Sequence, residues 1–162
     1  MEFAFNCPIK LPGLITPVLK IRYWFTFKIK IGNHQLQNYM IVFLGVGFGG
    51  AFRYWGSNCV YKFLPSSFPH GTLFVNTLGS LIIGIVMFYF AANELISPKT
   101  RIFLATGFCG GLTTFSTFPF ETINFIKEKE YLFAGANILL NILLTLLALF
   151  IAYKISRLLT GG

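Results

Sequence analysis

Between Lys99 and Lys127 an otherwise apolar run carries Gly107, Gly110, Gly111, the hydroxyl residues Thr113, Thr114, Ser116 and Thr117, and then Pro119. Glycine and proline are the poorest helix formers, and proline also interrupts the helical hydrogen-bond ladder. In hydrocarbon no water replaces a lost backbone bond. Non-helical backbone therefore persists at membrane depth only where protein buries it or a polar cavity receives it. Carbonyls freed at such a break form a natural cation site. The alternative is a glycine-rich packing face with a proline kink.

The composition places this segment in a bilayer. The chain has 162 residues, 55% hydrophobic and 11% charged, including 20 phenylalanines, with mean hydropathy +0.70. A soluble domain carries about twice that charge. Runs of some 20 apolar residues read as transmembrane helices. The expected fold is an all-α membrane protein with four transmembrane helices, at about Met40–Phe63, Gly71–Ala92, Lys99–Lys127 and Tyr131–Tyr153, the third of them broken. The connections are Leu64–His70 with two prolines, Asn93–Pro98, and Lys127–Glu130. All are short, so consecutive helices run antiparallel. The net charge of +8 does not indicate nucleic acid, because the basic residues lie between apolar runs and form no stripe. Phosphate headgroups are their ordinary partner. Cys7, Cys59 and Cys109 have no metal or disulfide spacing and read as small packing residues.

Residues 1–39 differ in character. Pro8, Pro12 and Pro17 precede the alternation Lys28-Ile29-Lys30-Ile31, and no run reaches spanning length. This N-terminal extension is either a peripheral arm or, the preferred reading, sequence upstream of a true start at Met40, with residues 40–162 forming the four-span domain. From Met40, one side of the membrane has Lys99, Arg101, Lys154 and Arg157, and the other has Lys62, Lys127 and Lys129. So small a bias barely sets orientation. Adding Lys10, Lys20, Arg22, Lys28 and Lys30 would fix the N-terminus inside.

Three series share helix faces at i, i+4 spacing. Thr72, Asn76 and Ser80 lie on the second span, and Asn137, Asn141 and Thr145 on the fourth. They are either interhelical hydrogen-bonding groups or the two walls of a polar pathway. Gly45, Gly49 and Arg53 form the third series on the first span. The glycine pair permits close helix approach. Arg53 either collects anions in a vestibule or caps carbonyls and snorkels. Glu121, past the break, is placed to cap the restarted helix. Phe115 and Phe118, three apart, fall on one side of a near-helical chain; their positive ring edges can attract an anion without a fixed charge.

GGLTTFSTF followed by Glu121 resembles the signature of the Fluc, or CrcB, family of fluoride channels. The resemblance extends to Gly71-Thr72-Leu73-Phe74-Val75-Asn76 and Gly49-Gly50-Ala51-Phe52-Arg53-Tyr54, and it covers residues 40–159. It implies an antiparallel, dual-topology homodimer in the cell membrane, with two fluoride pores and a structural sodium ion held by the backbone carbonyls of Gly110 and Thr113. Phe115 and Phe118 would line the pores beside Thr72, Asn76, Ser80, Asn137, Asn141 and Thr145. Asn137 and Asn141 depart from the mainly hydroxyl residues of that family's fourth span, and Pro119 stands where a small residue is expected.

The resulting expectation is a passive fluoride-selective channel, not an enzyme, whose partners are fluoride, the lipid bilayer and a second copy of the chain or an oppositely oriented paralogue. A small dual-topology transporter of another ion or solute is the alternative. Proton-coupled export generally needs a carboxylate within the membrane, and Glu94, Glu128 and Glu130 are loop residues.

Overall fold

The computed structural model describes residues 33–161, so Cys7, the early prolines and most of the expected extension lie outside the described residues. Among the described residues every regular element is helical. Helix α1 runs Asn33–Tyr61, and Met40 falls within it. Helix α2, His70–Ile85, continues into a π-helical stretch, Val86–Ala91. A single turn, α3, Pro98–Arg101, leads through a second π-helical stretch, Ile102–Cys109, into the short α4, Gly110–Leu112. Helix α5, Thr117–Lys127, and helix α6, Tyr131–Thr160, complete the chain.

Local chemistry sets the ends. Ser97 Oγ accepts the Thr100 N–H at 3.1 Å and Pro98 occupies the first turn, which satisfies one orphan donor and spares another. Gly161 closes α6 at φ +74°, with its N–H on the Arg157 carbonyl, a left-handed cap that glycine adopts without strain. Phe68 reaches back from the proline turn to stack on Phe125 of α5 at 6.1 Å between centroids. Phe133 of α6 joins both rings.

Among the described residues, two continuous helices are long and apolar enough to cross a bilayer, His70–Ala91 with mean hydropathy 2.0 and Tyr131–Thr160 with 2.3. Only 28% and 17% of these apolar windows are buried, so their apolar surface faces outward. Helix α6 buries a narrow stripe of small and polar residues, from Ala134 through Asn137 and Asn141 to Ala148, Ala152 and Ser156. Leu132 and Leu158 are more than four-fifths exposed. Polar inside and apolar outside is the pattern of a membrane protein, since helices in lipid associate through small residues and interhelical hydrogen bonds.

The glycine pair of α1 meets another. A Cβ on Gly45 would lie 2.7 Å from the Gly107 Cα, and one on Gly111 2.5 Å from the Val46 carbonyl oxygen; a Cβ on Gly49 would overlap the Phe108 carbonyl outright. Gly45 and Gly49 thus lie against Gly107 and Gly111, backbone on backbone. This contact seats the segment that carries the interruption.

Candidate functional site

The backbone leaves the helix at Thr113, which is extended (φ −83°, ψ 153°). Helix resumes at Thr117. In an uninterrupted helix the Thr114 N–H would bond the Gly110 carbonyl; here it donates to Asn76 Oδ1 at 2.8 Å. Asn76 Nδ2 returns a bond to the Thr114 carbonyl at 3.2 Å. One buried carboxamide on α2 therefore pairs with both polar groups of one peptide residue at the break. Thr114 Oγ1 accepts the Thr117 N–H at 3.4 Å and bonds Thr117 Oγ1 at 2.8 Å, which gives α5 its N-terminal partner. Pro119 sits within the first turn of α5, where its missing N–H would have had no acceptor inside that helix. The proline is accommodated just after the interruption.

The two asparagines of α6 extend this pairing. Asn76 Nδ2 also donates to Asn141 Oδ1 at 3.1 Å. Asn141 Nδ2 donates to Asn137 Oδ1 at 2.9 Å and to the Asn137 carbonyl at 3.0 Å. Asn137 Nδ2 reaches Thr122 Oγ1 at 3.0 Å and the Phe118 carbonyl at 3.3 Å. Asn137 is fully buried.

Beside the break lies a cavity of about 360 Å³. It collects most of the residues singled out in the sequence: Asn76 and Ser80 from α2, Gly110, Thr113, Phe115 and Phe118 from the interrupted segment, and Asn141 and Thr145 from α6. Thr72, Asn137 and Arg53 are not in its lining. Phe115 is 80% exposed, and its ring meets that of Phe118 at 5.5 Å between centroids and 63° between planes. In this edge-to-face arrangement the positive edge of one ring meets the negative face of the other. The Thr145 hydroxyl is bonded to the Asn141 carbonyl at 2.6 Å.

The three residues outside the lining have partners elsewhere. Arg53 Nη1 donates to the Thr113 carbonyl at 3.3 Å, a bond of the carbonyl-capping kind. Thr72 Oγ1 donates to Glu121 Oε1 at 2.5 Å. Glu121 therefore faces α2 and does not cap α5, whose N-terminus lies a full turn earlier. Its other oxygen, Oε2, is buried without a hydrogen-bond partner among the described residues.

The carbonyls at the break fit a hard monovalent cation, though unequally. Gly110 has lost its helical donor to Asn76. Thr113 has taken on the Arg53 guanidinium, and its carbonyl oxygen keeps a second lone pair.

Sequence reasoning missed Thr114 and Thr122, both buried and both anchoring the asparagines. The signal for Thr122 was its place four residues after Phe118, whose carbonyl it bonds at 2.9 Å. Cys109 is buried, as expected of a packing residue.

Fold and site together define a helical membrane protein with a cavity, lined by both polar and apolar residues, beside an interrupted helix. The family model described as "CrcB-like protein, Camphor Resistance (CrcB)" matches residues 40–153. The chain is 40% identical over 125 residues to a protein of Pyrococcus abyssi named fluoride-specific ion channel FluC, covering 76% of this chain and 98% of that one. It is 44% identical over 119 residues to the FluC of Pyrococcus horikoshii, covering 72% and 94%, and 41% identical over 123 residues to that of Campylobacter jejuni strain 81-176, covering 76% and 100%. The chain belongs to the CrcB-like family.

Proposed function

We propose that this protein is a fluoride-selective ion channel of the cell membrane, and that the ion passes through the cavity beside Phe115 and Phe118. The carrying observation is that one cavity gathers the phenyl pair, the break and polar residues of both flanking helices. Fluoride is small and strongly hydrated, so a path for it must offer substitutes for water while holding the ion weakly enough to release it. Hydroxyls and ring edges without a fixed charge suit that compromise. The relatives' names support fluoride as the ion. Transport is passive in this reading, down the electrochemical gradient, with no chemical step and no enzymatic activity.

The working unit in this reading is four spans, α1, α2, the interrupted segment and α6, in an antiparallel, dual-topology dimer with a second copy or a paralogue of opposite orientation. Gly110 and Thr113 offer two carbonyl oxygens from one chain, fewer than a hard cation takes. A structural sodium ion on these carbonyls would therefore draw on both copies and fasten them together. Exposure of Phe115 agrees with a partner or a pore beside it.

One observation favours the transporter alternative: Glu121 is a carboxylate at the side of the interrupted segment, with one oxygen buried and unpartnered among the described residues. Purified protein in liposomes separates the readings. Under the channel reading, fluoride leaves loaded vesicles once a potassium shunt balances charge, chloride does not, and an imposed proton gradient drives no accumulation. Proton-driven accumulation would establish the alternative, and absence of fluoride flux would remove the channel reading.

A further inference from the structure

Each of the three buried asparagines has two N–H donors and one side-chain acceptor. Every one is used within the protein. Asn76 spends its donors on the Thr114 carbonyl and Asn141 Oδ1, and accepts from the Thr114 N–H. Asn141 spends its donors on Asn137 Oδ1 and the Asn137 carbonyl, and accepts from Asn76. Asn137 spends its donors on Thr122 Oγ1 and the Phe118 carbonyl, and accepts from Asn141. The amides are head to tail. They run from Thr114, before the restart of the helix, through α2 and α6 to Phe118 and Thr122 beyond it.

We infer that Asn137 is a positioning residue for the ion path rather than a ligand of the ion, joined through Asn141, which borders the cavity, to Asn76. The three form a splint that holds the two sides of the break, and with them Phe118, at a fixed separation. In a continuous helix the Thr114 carbonyl would accept from the Phe118 N–H. Here Asn76 takes that carbonyl, and the asparagines of α6 reconnect it to the Phe118 peptide by a longer route. Asn137 has 0% exposure and is absent from the cavity lining, so it has no surface to offer an ion. A fully satisfied buried network specifies one geometry, whereas a partly satisfied one is costly. The inference rests on the channel reading above, and it names how this chain's own asparagines serve that path.

The test is a double-mutant cycle on Asn137 and Thr122, read as the half-saturating fluoride concentration of single-channel current. Loss of folded protein lowers the number of channels and leaves that concentration unchanged. Asn137→Ala and Thr122→Val each raise it, Asn137→Ala by roughly tenfold, as expected for one buried amide network opened. The double variant exceeds the worse single one by no more than about twofold, because both act through one connection. Multiplied losses, or an unchanged half-saturation, would overturn the inference. Asn137→Ser, which keeps a single donor, provides the cycle if the alanine variant does not assemble; it is expected to fall between wild type and Thr122→Val. Absence of wild-type current would instead remove the channel reading itself.

Discussion

The Asn76 carboxamide lies against Thr114 as a peptide group would, accepting its N–H at 2.8 Å and donating to its carbonyl at 3.2 Å. A neighbouring helix thereby supplies the bonds that the interrupted segment cannot make for itself. Asn76→Ala leaves both Thr114 groups unpaired in a buried place, at about 1–3 kcal/mol each. Asn76→Asp keeps the acceptor but turns an oxygen toward the Thr114 carbonyl and Asn141 Oδ1. Both substitutions lower the thermal midpoint in detergent, Asp at least as much as Ala. A wild-type midpoint for either would argue that Thr114 is held by other means.

Gly49 is a contact without slack. Alanine there meets the Phe108 carbonyl, which belongs to backbone and cannot turn aside. Overpacking of this kind costs about 1–3 kcal/mol or more. Gly47, on the same helix, has open space at its Cβ position. Gly49→Ala therefore loses monodisperse protein on gel filtration while Gly47→Ala does not; equal yields would mean that α1 does not seat the interrupted segment.

For Arg53 the competing roles differ in salt dependence. An anion-collecting charge weakens as salt screens it, whereas a bond to the Thr113 carbonyl is screened much less. The flux deficit of Arg53→Ala, relative to wild type, should stay constant from about 0.01 M to about 1 M of an impermeant salt. A deficit confined to low salt would favour the vestibule role.

Thr72 is the hydrogen-bond donor of record for Glu121. With Glu121 Oε2 already unpartnered among the described residues, Thr72→Val strips the carboxyl of its hydroxyl as well. A buried hydrogen bond contributes about 0.5–1.5 kcal/mol, so the variant unfolds at lower temperature. Thr72→Ser, which retains the hydroxyl, restores the midpoint. Equal midpoints for Val and Ser would show that the bond carries no stability.

The interruption was legible in the sequence because glycine and proline, poor helix formers, gather in one apolar run, although the glycines and Pro119 themselves stay helical and the backbone leaves the helix between Thr113 and Ser116. The two polar faces were legible because 3.6-residue periodicity reports which side chains share a side. Periodicity does not say which partner each polar atom takes. Hence Asn76 on one span and Asn137 and Asn141 on another read equally as interhelical hydrogen-bonding groups or as two walls of a pathway, and it took the structure to show their donors on one another, on Thr122 and on the backbone at Thr114, Asn137 and Phe118. The π-helical stretches at Val86–Ala91 and Ile102–Cys109 had no signal either, since widening a turn changes no residue type. Helix α6 runs to Thr160, beyond the expected Tyr153, because Lys154 and Arg157 end an apolar span without ending a helix.

That fluoride travels past the edge-on pair Phe115 and Phe118 is open to a direct reading. Fluoride efflux is followed with an ion-selective electrode from liposomes containing the wild type or the double variant Phe115→Ile with Phe118→Ile. Isoleucine keeps the site apolar and removes the positive ring edge. Flux should fall by at least about a hundredfold, the equivalent of roughly 3 kcal/mol, while gel filtration remains that of the wild type. Wild-type efflux from correctly assembled double variant would place the ion path elsewhere in the molecule.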